Sequence, residues 1–177
     1  MFRSARAFSL LLILLCTAGA ADFPTTKIAG IDGAIIPAEV VQTWRDSQRI
    51  FGAKAQTFWT PTIKDVELIE ARLKAGLEKG AKDPVSVSEQ VLTSPDRQWL
   101  SEQIGHILSH YGDYRRQYVG VVIGGKRYVH INSFFAFFGR DYTQKYFEAF
   151  DGGFGIWRIM YSLEDDRFLS LSVNGSA

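Results

Sequence analysis

QYVGVVIGGKRYVHIN, residues 117–132, decides the fold class, because two runs of period two meet at a glycine pair. Gly124-Gly125 tolerates the positive φ that a tight turn demands, so 117–123 and 126–132 are expected to fold back on one another as a β-hairpin. Such a turn pairs Val121 with Tyr128 and Val119 with His130, and sets Tyr118, Val122, Val129 and Ile131 on the opposite face. Both faces are largely apolar, which suits a strand pair covered on both sides or central in its sheet.

Downstream, Gly155–Leu163 and Phe168–Asn174 predict a second hairpin turned by Glu164-Asp165-Asp166-Arg167. Its last strand alternates Leu169, Leu171 and Val173 with Ser170 and Ser172, one face buried and the other wet. Asp141 followed by Tyr142, Tyr146 and Phe150 at four-residue spacing predicts a short helix between the hairpins. Upstream lie two amphipathic helices. The first starts at Thr60-Pro61 or at the capping box Thr62-x-x-Asp65 and repeats Val66, Ile69, Leu73 and Leu77, running over about 62–78 and ending near Gly80. The second opens at Ser94-Pro95-Asp96, carries Leu100, Ile104, Ile107, Leu108 and Tyr111 on one stripe, and ends close to Gly112. Between Asp22 and Phe58, Gly30 and Gly33 break up the isoleucines, so only a helix from Pro37 to Ile50 is expected there. The sum is an α+β fold in which two or three helices pack on an antiparallel sheet of about four strands built from two hairpins.

Residues 1–21 read as an address. Arg3 and Arg6 precede an apolar run from Phe8 to Leu15, and Ala18, Gly19 and Ala20 supply small residues for cleavage, the pattern of a secretory signal peptide. The run is too short for a membrane span, which needs roughly 20 apolar residues. The expected organisation is a signal peptide at 1–20 and a single domain at 21–177, periplasmic or secreted, with no transmembrane segment after cleavage. Cys16 is the one cysteine, so the cleaved chain has neither thiol nor disulfide, which excludes thiol redox chemistry and zinc-thiolate sites. Bulky Leu15 stands where a lipidated cysteine wants a small neighbour, so a lipid anchor is not expected. Two arginines and no acids leave with residues 1–20, taking the formal charge from +1 to −1. A near-neutral domain has no electrostatic footprint for nucleic acid.

Three groups of side chains bear on function. Tyr128, His130 and Asn132 share one strand face and form a groove able to hydrogen-bond a ligand, unless the histidine is simply buried and satisfied by a neighbouring loop. The run Phe134, Phe135, Ala136, Phe137, Phe138 cannot bury all its rings by alternation, so either both sides are covered or some rings form an interaction patch. Glu102, His106 and His110 share one stripe of the second helix at a spacing metal sites use, although the order lacks the HExxH arrangement and a solvated flank is the simpler reading. Asp151-Gly152-Gly153 reads as a turn rather than a phosphate loop. The chain carries no nucleophile elbow, and no cofactor is expected.

FWTPT at 58–62, RRQYVGVVIGGKRYVHIN at 115–132, DGG at 151–153 and the ending YSLEDDRFLSLSVNGSA resemble a group of small exported bacterial proteins of uncharacterised function. The likeness covers much of 58–177 and implies a shared fold and bacterial export; it carries over no catalytic residue. Three functions compete on these readings. The first is a non-catalytic periplasmic interaction protein, possible forms being an inhibitor or immunity-type protein, with another protein or a cell-envelope component as partner. The second is a small-ligand pocket protein whose layout is loosely like cystatin-like or NTF2-like domains, an analogy of fold alone. The third is a metal-assisted hydrolase built on the Glu102, His106, His110 stripe.

Overall fold

The computed structural model describes residues 22–175 apart from 29, 46, 52–53, 89–91 and 150; the segment expected to be a signal peptide, with Cys16, lies outside the described residues. Gly124 and Gly125 take φ of +58° and +78°, and the turn they make joins β4 (Tyr114–Ile123) to β5 (Lys126–Phe135). The register is the one the alternation requires: Val121 faces Tyr128 and Val119 faces His130. β6 (Ile156–Ser162) and β7 (Arg167–Val173) form the second hairpin, and β6 pairs with β5, giving four consecutive antiparallel strands.

The sheet does not end at four strands, which corrects the expected architecture. β1 (Thr25–Ile28) and β2 (Ile31–Ile35) form a further hairpin, and β2 runs parallel to β4 with Gly33 opposite Arg116 and Ile35 opposite Tyr118. β3 (Thr57–Trp59) lies antiparallel along the other half of the same β4 edge, with Trp59 opposite Gly120. The result is a seven-stranded mixed sheet in the order β1-β2-β4-β5-β6-β7, with β3 also on β4. Two physical causes hide these strands. Gly33 breaks the apolar alternation of β2 because a Cβ there would lie 2.7 Å from the Tyr118 ring, and β3 is three residues long, too short to show a period.

Helices cover one face. In α3 (Ile63–Lys82) Thr62 is the N-cap and shares a complete capping box with Asp65, the second of the two expected starts. It runs through Gly80, where the helix packs against Val87, instead of stopping there. α4 (Ser94–Ser109) starts one residue earlier than its Ser-Pro-Asp signature suggests, capped by Thr93 with Asp96. Val66, Ile69, Leu73, Leu77, Ile104 and Ile107 meet Tyr118, Ile131, Trp157 and Tyr161 of the sheet in the main core. Inside it Arg116 donates to Glu70 at 2.5 Å and Tyr118 donates to the other carboxylate oxygen at 2.9 Å. Burial pushes the Glu70 carboxyl up, against the opposing pull of Arg116 and Tyr118.

The opposite face carries a smaller core of Phe23, Ala34, Ile36, Val41, Phe51, Val119 and Val121 under α1 (Ala38–Gln42), α2 (Ser47–Phe51) and the segment 136–149. The helix expected over 37–50 is thus two short ones. The helix expected over 142–150 is absent from 142–149: a single turn forms, with Gln144 and Lys145 N–H groups donating to Asp141 O. Two buried side chains hold it open. Gln117 donates to the carbonyls of Tyr142 (2.8 Å) and Lys145 (2.7 Å) and accepts from Phe147 N–H (2.8 Å), while Asn132 donates to Phe147 O (2.8 Å). Backbone groups so engaged are diverted from a regular helical ladder. In β7 a register shift accompanies Ser170, whose φ is +54°. Leu169 therefore pairs with Met160 on the His130 face, whereas Leu171 belongs to the main core, so the three apolar residues of β7 do not share one face. Among the described residues no helix is long and apolar enough to cross a membrane.

Candidate functional site

The Phe run divides by strand geometry. Phe134 lies on the His130–Asn132 face of β5 and packs on Phe147, ring centroids 4.5 Å apart, with no exposed surface. Phe135 points the other way and stacks on Tyr114 at 4.8 Å. β5 ends there; the Phe138 N–H turns back to Phe135 O, and the two following rings are left outside, Phe137 69% and Phe138 40% exposed, in contact with each other at 4.3 Å. The run is thus covered at Phe134 and exposed at Phe137 and Phe138.

Next to these rings lies the exposed side of α4. Trp99, Gln103, His106 and His110 recur at four, three and four residues and so share a helix face. His106 and His110 both stack on Phe154, at 4.9 Å and 5.7 Å with ring planes within 22° and 19°, and His110 meets the edge of Phe135 at 5.6 Å. Phe154 is delivered by the Asp151-Gly152-Gly153 turn, in which both glycines have positive φ and which leads into a short 3-10 turn over Gly153–Gly155. Tyr114 donates to its carbonyl at 2.7 Å. The helix histidines and the Phe run are thus parts of one ridge: His106, Phe154, His110, Phe135, Phe137, Phe138.

A cleft opens on each side of that stack. One, of about 500 Å³, lies between α4 and the 151–154 turn and is lined by Trp99, Gln103, His106 and Phe154; the other, about 570 Å³, is lined by His110, Asp113, Phe135 and Phe137. Trp99 is 45% exposed at the outer end of the first. Glu102, the remaining member of the stripe, accepts from Gln98 at 3.0 Å, and His110 meets the Asp113 carboxylate at 3.0 Å. Among the described residues no group of three His, Cys, Asp or Glu side chains is placed to hold a metal ion.

Tyr128, His130 and Asn132 share a face of β5, but they do not act as one groove. Asn132 is fully buried and spends its amide on Gln117 and Phe147; Tyr128 is half-buried. His130 lies 3.1 Å from the Tyr146 hydroxyl with Phe51 edge-on at 5.0 Å. Burial, reinforced by the Arg158 guanidinium, holds its imidazole down to about 3, so the ring is neutral at physiological pH. Only its rim meets space, a pocket of about 310 Å³ shared with Arg158 and Met160, where Arg158 donates to Asn174 Oδ1 at 3.1 Å.

Sequence reading missed Trp99, Gln103 and Phe154. Trp99 had a usable signal, since it sits off the apolar stripe of Leu100, Ile104 and Ile107 and a tryptophan on the wet side of a helix is unusual. Phe154 had none, because its position depends on a turn and a helix forty-odd residues apart in sequence. Compared with known proteins, the chain matches no family model, no curated protein and no solved structure.

Proposed function

We propose that this chain is an exported, non-catalytic binding protein of the bacterial periplasm that holds a partner, a protein or a cell-envelope component, on the aromatic ridge and its flanking clefts. One observation carries the reading: Phe137, Phe138 and Trp99 are exposed around a ridge whose other rings are already stacked and held. Exposed apolar groups cost free energy in water, and such contiguous patches mark interaction sites on soluble proteins. Preorganised rings also lose little side-chain entropy on binding, which favours them as anchors. The ridge contributes recognition, its imidazoles being engaged by ring stacking on Phe154.

The test is co-sedimentation with the envelope fraction of the native cell. Replacing an anchor ring costs about 2 kcal/mol of binding, roughly thirtyfold in affinity. The double variant Phe137→Ser/Phe138→Ser is therefore expected to move the protein from the pellet to the supernatant at unchanged thermal stability. Leu68→Ser, at an exposed apolar residue of α3 away from the ridge, is expected to leave the distribution as it was. Equal partition of all three proteins would remove the proposal.

A further inference from the structure

We infer that the cleft between α4 and the 151–154 turn is a glycan site, taking an uncharged sugar ring against Trp99 and Phe154 with its hydroxyls on Gln103 and His106. This rests on the binding reading above and names the ligand class. The first ground is charge. Among the described residues no Lys, Arg, Asp or Glu lines this cleft; its side chains are Trp99, Gln103, His106, Phe154 and Asn174, beside the backbone of Gly152 and Gly153. A phosphate, a carboxylate or an ammonium would enter without a counter-charge and lose its hydration, so a neutral ligand is selected.

The second ground is the pairing of flat rings with unspent polar groups. The Gln103 amide and the His106 ring nitrogens make no hydrogen bond to any described residue, whereas Asn174 already donates to Ala149 O and Asp151 O and accepts from Arg158. An apolar peptide side chain seated here would cover Gln103 and His106 without partners, at a cost of about 1–3 kcal/mol for each group so buried. A pyranose avoids that cost: its C–H face lies on an aromatic ring while its edge carries hydroxyls that both donate and accept. The planar Gln103 amide both donates and accepts, and the His106 ring adds two nitrogens beside it, so together they match adjacent hydroxyls.

Shape is the third ground. Gly152 and Gly153 present backbone without side chains to the cleft, and the volume of about 500 Å³ falls within the roughly 300–1,000 Å³ of ligand sites. The second cleft begins across the His106–Phe154–His110 stack, so a polymer has room to continue beyond one ring.

The experiment follows the indole N–H resonances of ¹⁵N-tryptophan-labelled protein titrated with chitohexaose, cellohexaose and maltohexaose. At least one of the three is expected to shift the Trp99 resonance saturably while those of Trp44, Trp59 and Trp157 stay in place. Gln103→Ala and His106→Ala should each weaken that saccharide about tenfold, and the three unmoved indoles report that each variant is folded. Silence of Trp99 towards all three saccharides, or an affinity indifferent to both substitutions, would overturn the glycan assignment. If Trp99 is silent while envelope sedimentation still depends on Phe137 and Phe138, the ligand class fails and the binding reading survives; if neither effect is seen, both fail.

Discussion

His130 illustrates how a residue that looks chemical becomes structural. Its neighbours are Phe51, Tyr146 and Arg158, and all of them disfavour a second proton on the ring: Phe51 and Tyr146 exclude water, and Arg158 adds like charge. Above about pH 6.5 neither the folded nor the unfolded chain protonates this site. Between about 6.5 and 3 only the unfolded chain does, so stability is lost as the pH falls through that window, by up to about 1.4 kcal/mol per pH unit. His130→Gln keeps a partner for Tyr146 and has no proton to gain. Urea midpoints between pH 7 and 4 should therefore fall less steeply for the variant than for the parent; parallel curves would mean that His130 is not held neutral. Asn132 and Gln117 belong to the same account. Both were legible as strand residues, Asn132 as part of a candidate ligand groove, but their task, gripping the backbone of 142–147, depends on a loop that only the folded chain brings to them.

At the level of elements, legibility followed locality. The β4–β5 hairpin, α3 and α4 announce themselves through signals confined to a few residues: a glycine pair between alternating runs, a Thr-x-x-Asp box before α3, and a Ser-Pro-Asp start before the apolar stripe of α4. The N-terminal strands do not, since β2 and β3 are specified by the β4 edge they complete. Gly120 shows the dependence. A Cβ there would lie 2.2 Å from the Trp59 carbonyl oxygen and 2.7 Å from its indole, so only glycine lets β3 close on β4. Gly120→Ala is expected to destabilise the protein by about 2–3 kcal/mol through displaced strands and overpacking. Tryptophan fluorescence should report altered surroundings for Trp59. A variant as stable as the parent would show that β3 can pair without this close approach. The β7 bulge is the converse case: regular Leu-Ser alternation predicted one buried face, and the positive φ of Ser170 divided it between two.

Across the whole molecule, the sheet has a helical layer on one face and short helices with a clamped loop on the other, and the aromatic ridge sits where α4, the end of β5 and the 151–154 turn converge. Sequence reading singled out two of its parts, the histidine pair and the Phe run, as separate possibilities of different chemistry. Their union was not legible because Phe154, which both histidines stack on, is placed by tertiary contacts. The architecture also anchors the ridge: Tyr114, buried in the main core, stacks on Phe135 and bonds Phe154 O, tying the surface rings to the interior. The most direct measurement is photo-crosslinking in intact cells with a photoreactive phenylalanine at position 137, compared with the same group at position 68. The account expects a discrete adduct from position 137 that is absent from position 68 and lost when Trp99 and Phe138 are also replaced by Ser. No adduct at 137, or the same adducts from both positions, would contradict it.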